Sequence, residues 1–411
     1  MSETILLFIV GFILFEFALN KVLSLLNLNT WQQPLPAALQ GFYDAKKYSE
    51  AEQYAKANFY FVVVSSVFSL AVSLSFLLMG GFAWVNDLAL GFSDNVIVQA
   101  LYFFGFIGLG SMLISLPFDV YHTFVLEEKF GFNKTTVQTF VADKLKGILL
   151  GAVIGGGLLA LLTFLYGWLG EWFWLSAWAV VAVFTIFFAM FYTSWLLPLF
   201  NKLTPLEDGD LRKSIVAYAN KVDFPLTNIF VMDGSKRSSK ANAFFSGMGS
   251  KKNIVLYDTL INESTIEEIT AVLAHEVGHY KRKHILQSMA LSVAQMGVMF
   301  YVFGWLAASP VMGEVLGAKA NNFHLSLIAF SLIYAPISMI TGLLMNIFSR
   351  KNEYEADNYA KETYSEKPLI TALKKMSINH LSNLQPHPAY VFFNYSHPTL
   401  WQRMKHLQGN D

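Results

Sequence analysis

Cysteine is absent from all 411 residues. The chain therefore has no disulfide framework, no thiolate nucleophile and no cysteine-based metal site, and cysteine-protease chemistry is excluded outright. Charge is scarce as well: only 14% of residues are Asp, Glu, Lys or Arg, and they sum to a formal net charge of zero. No basic stripe is present, so nothing points to nucleic acid as a partner. There is no low-complexity tract, no internal repeat and no Pro-rich linker to divide the chain.

What is present is apolar. Hydrophobic residues make up 54% of the chain, outside the range for a soluble enzyme of this length. Seven segments are long and apolar enough to span a bilayer, which takes about 20 residues each. They run approximately 4–26, 59–84, 97–118, 146–168, 173–197, 285–308 and 325–348. The first lacks a basic flank and a small-residue cleavage site and is expected to be a retained span. Glu16, Asn20 and Lys21 interrupt it, and ionisable groups at membrane depth face a cavity or another helix.

The connections near 85–96 and 169–172 carry no Lys or Arg, and 309–324 carries only Lys319. Nearly all the basic residues lie in 27–58, 119–146, 198–284 and the tail from Ser349. The positive-inside rule then puts the N-terminus outside and the C-terminus in the cytosol, as an odd number of crossings requires. The expected class is a mainly α, polytopic membrane protein. Its divisions are 1–197 with five spans, 198–284 as a cytosolic α/β unit, 285–348 with two spans, and 349–411 as a cytosolic helical tail.

The densest chemistry is the segment His275-Glu276-Val277-Gly278-His279. Two His four residues apart on a helix point to the same side and can hold one metal ion. Glu276 sits beside that ion, placed to act as a base toward the attacking water. The surroundings read as helical: Ser264 is the expected N-cap and Glu267 its capping-box partner, and no Pro interrupts Thr265 to His284. Gly278 is expected to admit the metal, a substrate or a neighbouring helix.

A hydrolytic zinc site usually has three protein ligands. His284 lies nine residues after His275, half a turn away on a continuous helix, and is rejected. After the last apolar segment, Glu353 and Asp357 are four apart and share a face, whereas Glu355 projects to the other side. Glu353 is therefore the expected third ligand, with Asp357 accepting a hydrogen bond from a ligating His.

The polar stretch 198–284 reads as a small α/β unit. It has a helix over Asp210–Val222, strands at Asn228–Met232 and Asn253–Tyr257, and an extended piece at Asn242–Phe245. That piece, through Asn242, Ala243 and Phe244, could pair with a substrate backbone by β-augmentation. Near the C-terminus His397 and Arg403 flank an expected helix start at Pro398. His397 could donate to an oxyanion and Arg403 could bind a carboxylate of the substrate.

Together these residues resemble a family. HEVGH, SRKNEYEAD (Ser349–Asp357), the NAFF segment (Asn242–Phe245) and SHPTLWQR (Ser396–Arg403) are similar to motifs of the integral-membrane zinc endopeptidases that process CAAX proteins. LEEKFGFNKTT (Leu126–Thr136), PLFNKLTPLEDGDLR (Pro198–Arg212) and VMDGSKRSSKANAFF (Val231–Phe245) extend the resemblance over most of the chain. It implies one Zn2+ held by His275, His279 and Glu353, with Glu276 as general base. It also implies a substrate strand at Asn242 and its neighbours, with His397 and Arg403 completing the site. Seven tilted helices would enclose a water-filled chamber, and the substrate would be a peptide or protein, in eukaryotic members a prenylated Cys-a-a-X tail. The compact length favours a bacterial cytoplasmic membrane over the endoplasmic reticulum. Two other readings stand beside this one: a bacterial quality-control zinc protease, which typically has fewer spans, and a transporter with a structural metal, which would need a fourth protein ligand.

Overall fold

The computed structural model describes residues 1–33, 35, 39–41, 44–246 and 252–409. Helices α1 (Ser2–Asn29) and α2 (Ala45–Leu78) lead through the short α3 (Gly81–Phe92) into α4 (Val96–Tyr121), which continues in a π-helical turn, His122–Glu127. Helix α5 (Val137–Leu150) passes through a second π turn into α6 (Gly156–Leu169), and α7 (Phe173–Phe191) through a third into α8 (Leu197–Phe200). Short polar side chains start these helices: Asp44 accepts from Lys47 N, Asn95 from Ile97 N and Val98 N, and Thr136 from Thr139 N. Each satisfies amide groups that have no partner within the helix.

Among the described residues, six helical runs are long and apolar enough to cross a membrane, against seven segments expected. The difference lies in Val137–Phe200, which is continuous over 64 residues. At 1.5 Å per residue that run is about 96 Å long, far beyond a hydrocarbon core of about 30 Å. It turns back at Gly170, whose φ of +53 suits a residue without Cβ, and α6 packs against α7. The run thus holds both the fourth and the fifth expected segments. The protein is an integral, multi-pass membrane protein.

The water-facing unit begins with β1 (Leu203–Pro205), α9 (Asp210–Lys221), β2 (Leu226–Met232), β3 (Ala243–Ser246) and β4 (Lys252–Tyr257). The sheet order is β1-β2-β4-β3, with β2 and β4 parallel and the outer pairs antiparallel. Register places Val231 opposite Leu256 and Phe244 opposite Val255. Strand β1 was not anticipated: three residues ending in Pro205 show no alternation to read, and Pro is tolerated there because the strand is an edge.

Helices α10 (Asp258–Glu263) and α11 (Ile266–Lys281) lead to α12 (His284–Ala307), α13 (Val311–Val315) and the long α14 (Phe323–Thr363). The tail holds α15 (Glu366–Asn379), α16 (Pro388–Asn394) and α17 (Leu400–Gln408). Ile269, Leu273 and Val277 recur every four residues along α11 and bury against Ile229, Ile254 and Leu256 of the sheet and Ile215 of α9. A second apolar cluster, including Ile9, Val85, Phe103, Leu316 and Leu325, closes the opposite end of the molecule. Leu325 and Glu353 are 28 residues apart on α14, about 42 Å at 1.5 Å per residue.

Between the two ends the packing is open. Only 6% to 17% of each span's most apolar stretch is buried. The accessible surface is 21158 Å2, whereas a compact protein of 46.2 kDa would show about 16,000 Å2. This excess fits helices with a free inner face as well as a lipid-facing one. A cavity of about 580 Å3 among the spans is lined by Ser65, Ser69, Ser73, Ser111 and Ser115, with the ion pair Asp119–Lys144 at its edge. In α1, Lys21 Nζ donates to the Val62 carbonyl of α2 at 3.4 Å, so this charge does face another helix.

Candidate active site

Helix α11 starts one residue later than expected. The N-cap is Thr265, whose hydroxyl accepts from Glu268 N, while the Glu268 carboxylate accepts from Thr265 N at 2.8 Å. Ser264 and Glu267 form the same pattern one step earlier, and tertiary contact decides between them. Glu268 is buried against α15, where Lys375 Nζ donates to it at 2.7 Å, and Glu267 is exposed. A shift in the same direction occurs at the C-terminus: α17 starts at Leu400 rather than at Pro398, capped by Thr399 in a capping box with Gln402.

Gly278 is where α11 meets α14. A Cβ there would stand 3.0 Å from Ala356 Cα and O and 3.1 Å from Tyr359 Cβ. Of the neighbours anticipated for this glycine, it is the adjoining helix that approaches. That approach brings Glu353, one turn before Asp357, up to the two histidines.

The three expected ligands converge. His275 Nε2 and His279 Nε2 are 3.2 Å apart. Glu353 Oε1 is 3.2 Å from His279 Nε2, and its Oε2 is 3.4 Å from His275 Nε2. All three donor atoms lie within 4.8 Å of one another. A tetrahedral ion with bonds of about 2.0–2.1 Å needs donors about 3.3 Å apart, so the spacing fits. Two imidazole nitrogens facing each other beside a carboxylate are an arrangement that a shared cation would satisfy. Among the described residues, Glu353 Oε2 is moreover buried without a hydrogen-bond partner, as an atom reserved for a cation would be.

Asp357 lies behind His275, its Oδ1 2.9 Å from Nδ1, which leaves Nε2 for the metal position. Burial and the Arg403 charge pull the His275 imidazole down, but Asp357 and Glu353 outweigh them and raise it to about 9. Burial pushes the Glu276 carboxyl above its ordinary range, against the opposing pull of His275 and His279. A carboxyl held high in this way is suited to taking and returning a proton.

The remaining residues are distributed unevenly. His397 is exposed at the mouth, with Nε2 3.3 Å from Glu353 Oε1 and Nδ1 2.9 Å from Ser396 Oγ. Arg403 is buried, donates twice to Asp357, and stands 3.5 Å from Glu353 Oε2. It was expected to receive a substrate carboxylate, but its fork is taken up by the protein's own carboxylates. Asn242 immediately precedes β3, its carbonyl accepting from Tyr257 N at 3.1 Å. Ala243 and Phe244 lie within β3, one of the two edge strands of the sheet. Phe244 and Phe245 also line an apolar cavity of about 430 Å3 together with Tyr280 and Met289.

His284 and Glu355, rejected as ligands, lie one layer out: His284 contacts His279, and Glu355 contacts His284. The expectation that His284 faces away assumed a continuous helix. Instead α11 ends at Lys281, and Lys283 at φ +61 reverses the chain.

Comparison with known proteins agrees with this architecture. Residues 24–202 match the family model for the CAAX prenyl protease N-terminal region with five membrane helices, and residues 205–411 match peptidase family M48. CAAX prenyl protease 1 of Saccharomyces cerevisiae is 33% identical, over 98% of this chain and 94% of its own length. Its Arabidopsis thaliana homolog is 32% identical, over 98% and 97%. The crystal structure of S. mikatae Ste24p superposes with a TM-score of 0.92 at 34% identity, covering 98% of both chains. With both regions matched in order and a metal-binding geometry within the second, the chain belongs to peptidase family M48, as a membrane metalloendopeptidase of the CAAX prenyl protease type.

Proposed function

We propose that the metal is zinc, that His275, His279 and Glu353 hold it, and that the substrate is a prenylated protein losing its C-terminal tripeptide. The observation that carries this reading is the convergence of His275, His279 and Glu353: the two Nε2 atoms are 3.2 Å apart, and the Glu353 carboxylate reaches His279 through Oε1 at 3.2 Å and His275 through Oε2 at 3.4 Å. Three protein donors leave a position open, as hydrolytic zinc sites do and structural ones do not. Two imidazoles and a glutamate are a donor set that catalytic zinc uses. The prenylated substrate rests on the names of the yeast and plant relatives and on the motifs shared with them.

A bound zinc ion supplies Lewis acidity to the scissile carbonyl and to water. Glu276 takes the proton of the attacking water and delivers it to the leaving amine. His397, exposed beside Glu353, donates a hydrogen bond to the developing oxyanion. Asp357 and Arg403 fix His275 from behind. The free edge of β3 receives the substrate backbone, so that Asn242, Ala243 and Phe244 hold the peptide extended across the site. The loop charges support a site on the cytosolic side. The relatives named above are eukaryotic, so the bacterial membrane favoured by chain length alone gains no support from them.

Zinc analysis of the purified protein, paired with cleavage of a farnesylated Cys-a-a-X peptide and an unprenylated control, tests the reading. One zinc per chain and preferential cleavage of the farnesylated peptide are expected. Glu276→Gln should retain zinc and lose cleavage. Full activity in that variant would rule out its role as base, and equal turnover of both peptides would argue for a general membrane protease.

A further inference from the structure

The reversal at Lys283 sends His284 back against His279. Their Nδ1 atoms are 3.0 Å apart, with the rings crossed at 74°. On the far edge of the same ring, His284 Nε2 is 3.2 Å from Glu355 Oε2. His284 is almost wholly buried, at 3% exposure. The other Glu355 oxygen faces Lys351 Nζ at 3.8 Å. Glu355 lies two residues beyond Glu353 on α14, so one helix reaches both sides of His279.

Hydrogen-bond roles along this line follow in order. A carboxylate oxygen can only accept, so His284 Nε2 carries the hydrogen. A neutral imidazole with its hydrogen on Nε2 has a lone pair on Nδ1, so His284 Nδ1 accepts. His279 Nδ1 must then donate, which leaves the His279 lone pair on Nε2. That is the atom 3.2 Å from both His275 Nε2 and Glu353 Oε1. The opposite tautomer would place a hydrogen in the middle of the donor triangle. On the other histidine, Asp357 reaches the same result in one step, through His275 Nδ1 at 2.9 Å.

We propose that Glu355 and His284 form a positioning relay for His279, fixing the tautomer and ring orientation that present Nε2 to the metal. This rests on His275, His279 and Glu353 being the ligands. The two carboxylates Asp357 and Glu355 then serve the two histidines from opposite sides of α14, one directly and one through an inserted imidazole. Neither His284 nor Glu355 touches the substrate or the reacting atoms. Their contribution is to metal affinity and to the orientation of a ligand.

The test is metal affinity of the full-length protein in detergent, measured by competition between zinc and a chelator, together with the visible spectrum of the cobalt-substituted protein. His284→Leu removes the acceptor and should weaken zinc binding roughly 10- to 100-fold, the range for lost outer partners of a ligating His. His284→Asn puts a carbonyl oxygen near the Nδ1 position and should recover most of that loss. Glu355→Leu should weaken binding in the wild-type background but add nothing to His284→Leu, because it acts through His284. A cobalt spectrum shifted in His284→Leu and restored in His284→Asn would mark a change at the ligand, which a packing role does not produce.

Wild-type zinc affinity in His284→Leu overturns the relay. So does equal weakening by Leu and Asn, or an effect of Glu355→Leu that persists without His284. If His284→Leu does not fold, the comparison of Glu355→Leu with Glu355→Gln decides, since Gln keeps an accepting carbonyl and should bind zinc as the wild type does; equal loss in both overturns the proposal. His279→Ala separates the two levels of inference. Full zinc retention in that variant sinks the ligand reading and the relay together, whereas zinc loss there with none in His284→Leu sinks the relay alone.

Discussion

Arg403 grips Asp357 with two hydrogen bonds, Nε to Oδ2 at 2.9 Å and Nη2 to Oδ1 at 2.5 Å, with both side chains almost entirely out of solvent. The same guanidinium stands 3.5 Å from Glu353. The last helix of the chain therefore supplies the counter-charge for two carboxylates on α14, one of them a proposed ligand. Removing that charge leaves Asp357 without its two-pronged partner and takes one cation away from Glu353. Arg403→Met should cost about 3–5 kcal/mol, the range for breaking one half of a buried pair. Arg403→Lys keeps the charge but not the fork, and should fall between. Thermal melting in detergent orders the three proteins, and a Met variant as stable as the wild type would refute the account.

Gly278 gives a prediction whose sign must be decided from magnitudes. In a free helix Gly→Ala gains about 1 kcal/mol. Here the new methyl group meets backbone atoms of Ala356 at 3.0 Å, and backbone cannot step aside as a flexible side chain does. Overpacking of this kind costs about 1–3 kcal/mol, so strain outweighs propensity. Gly278→Ala should destabilise the protein, and because α14 carries Glu353 it should lose zinc as well. Equilibrium dialysis and melting check both; a stabilised variant with full zinc content would contradict the close approach.

How much of this could be read in the sequence depended on how local the cause was. The His275–His279 spacing, the Glu353–Asp357 spacing and the apolar runs are properties of single elements, and periodicity exposes them. Ser264 and Thr265 show the limit of local rules: each has a Glu three residues on, and only Lys375, more than a hundred residues away, selects the second pair. His284 was misjudged because the break after Lys281 has no Gly or Pro to announce it; a lysine takes the left-handed position. Arg403 was assigned to the substrate because nothing along the chain says that α17 folds back onto α14. That contact is purely tertiary.

Lys240 offers a test of the substrate strand. Two residues before Asn242, its Nζ donates to Glu127 Oε2 and to the Tyr54 hydroxyl, both at 3.2 Å, and lies 4.3 Å from the Phe132 ring centroid. Glu127 ends the π turn after α4, so the start of β3 is tied to the membrane helices. Lys240→Met removes a charged hydrogen bond worth about 1.5–3 kcal/mol, discounted because the lysine is partly exposed. If β3 holds the peptide, KM should rise about tenfold, with kcat nearly unchanged. A fall in kcat with KM constant would place the defect at the metal instead.

His380, at the end of α15, predicts a pH dependence of stability. Its Nε2 is buried without a hydrogen-bond partner among the described residues. Burial, and then the Lys240 charge, lower the His380 imidazole below its ordinary value, against a weaker hydrogen bond that the ring donates to the Ala241 carbonyl. The unfolded chain therefore takes up this proton first as pH falls. The stability from keeping His380 neutral is complete above about pH 6.5 and declines below it, until the folded form is protonated as well. Melting in detergent between pH 8 and pH 5 should show this decline, and His380→Gln, which cannot take up the proton, should show a shallower one. Parallel melting curves across the whole range would mean that the acid sensitivity originates elsewhere.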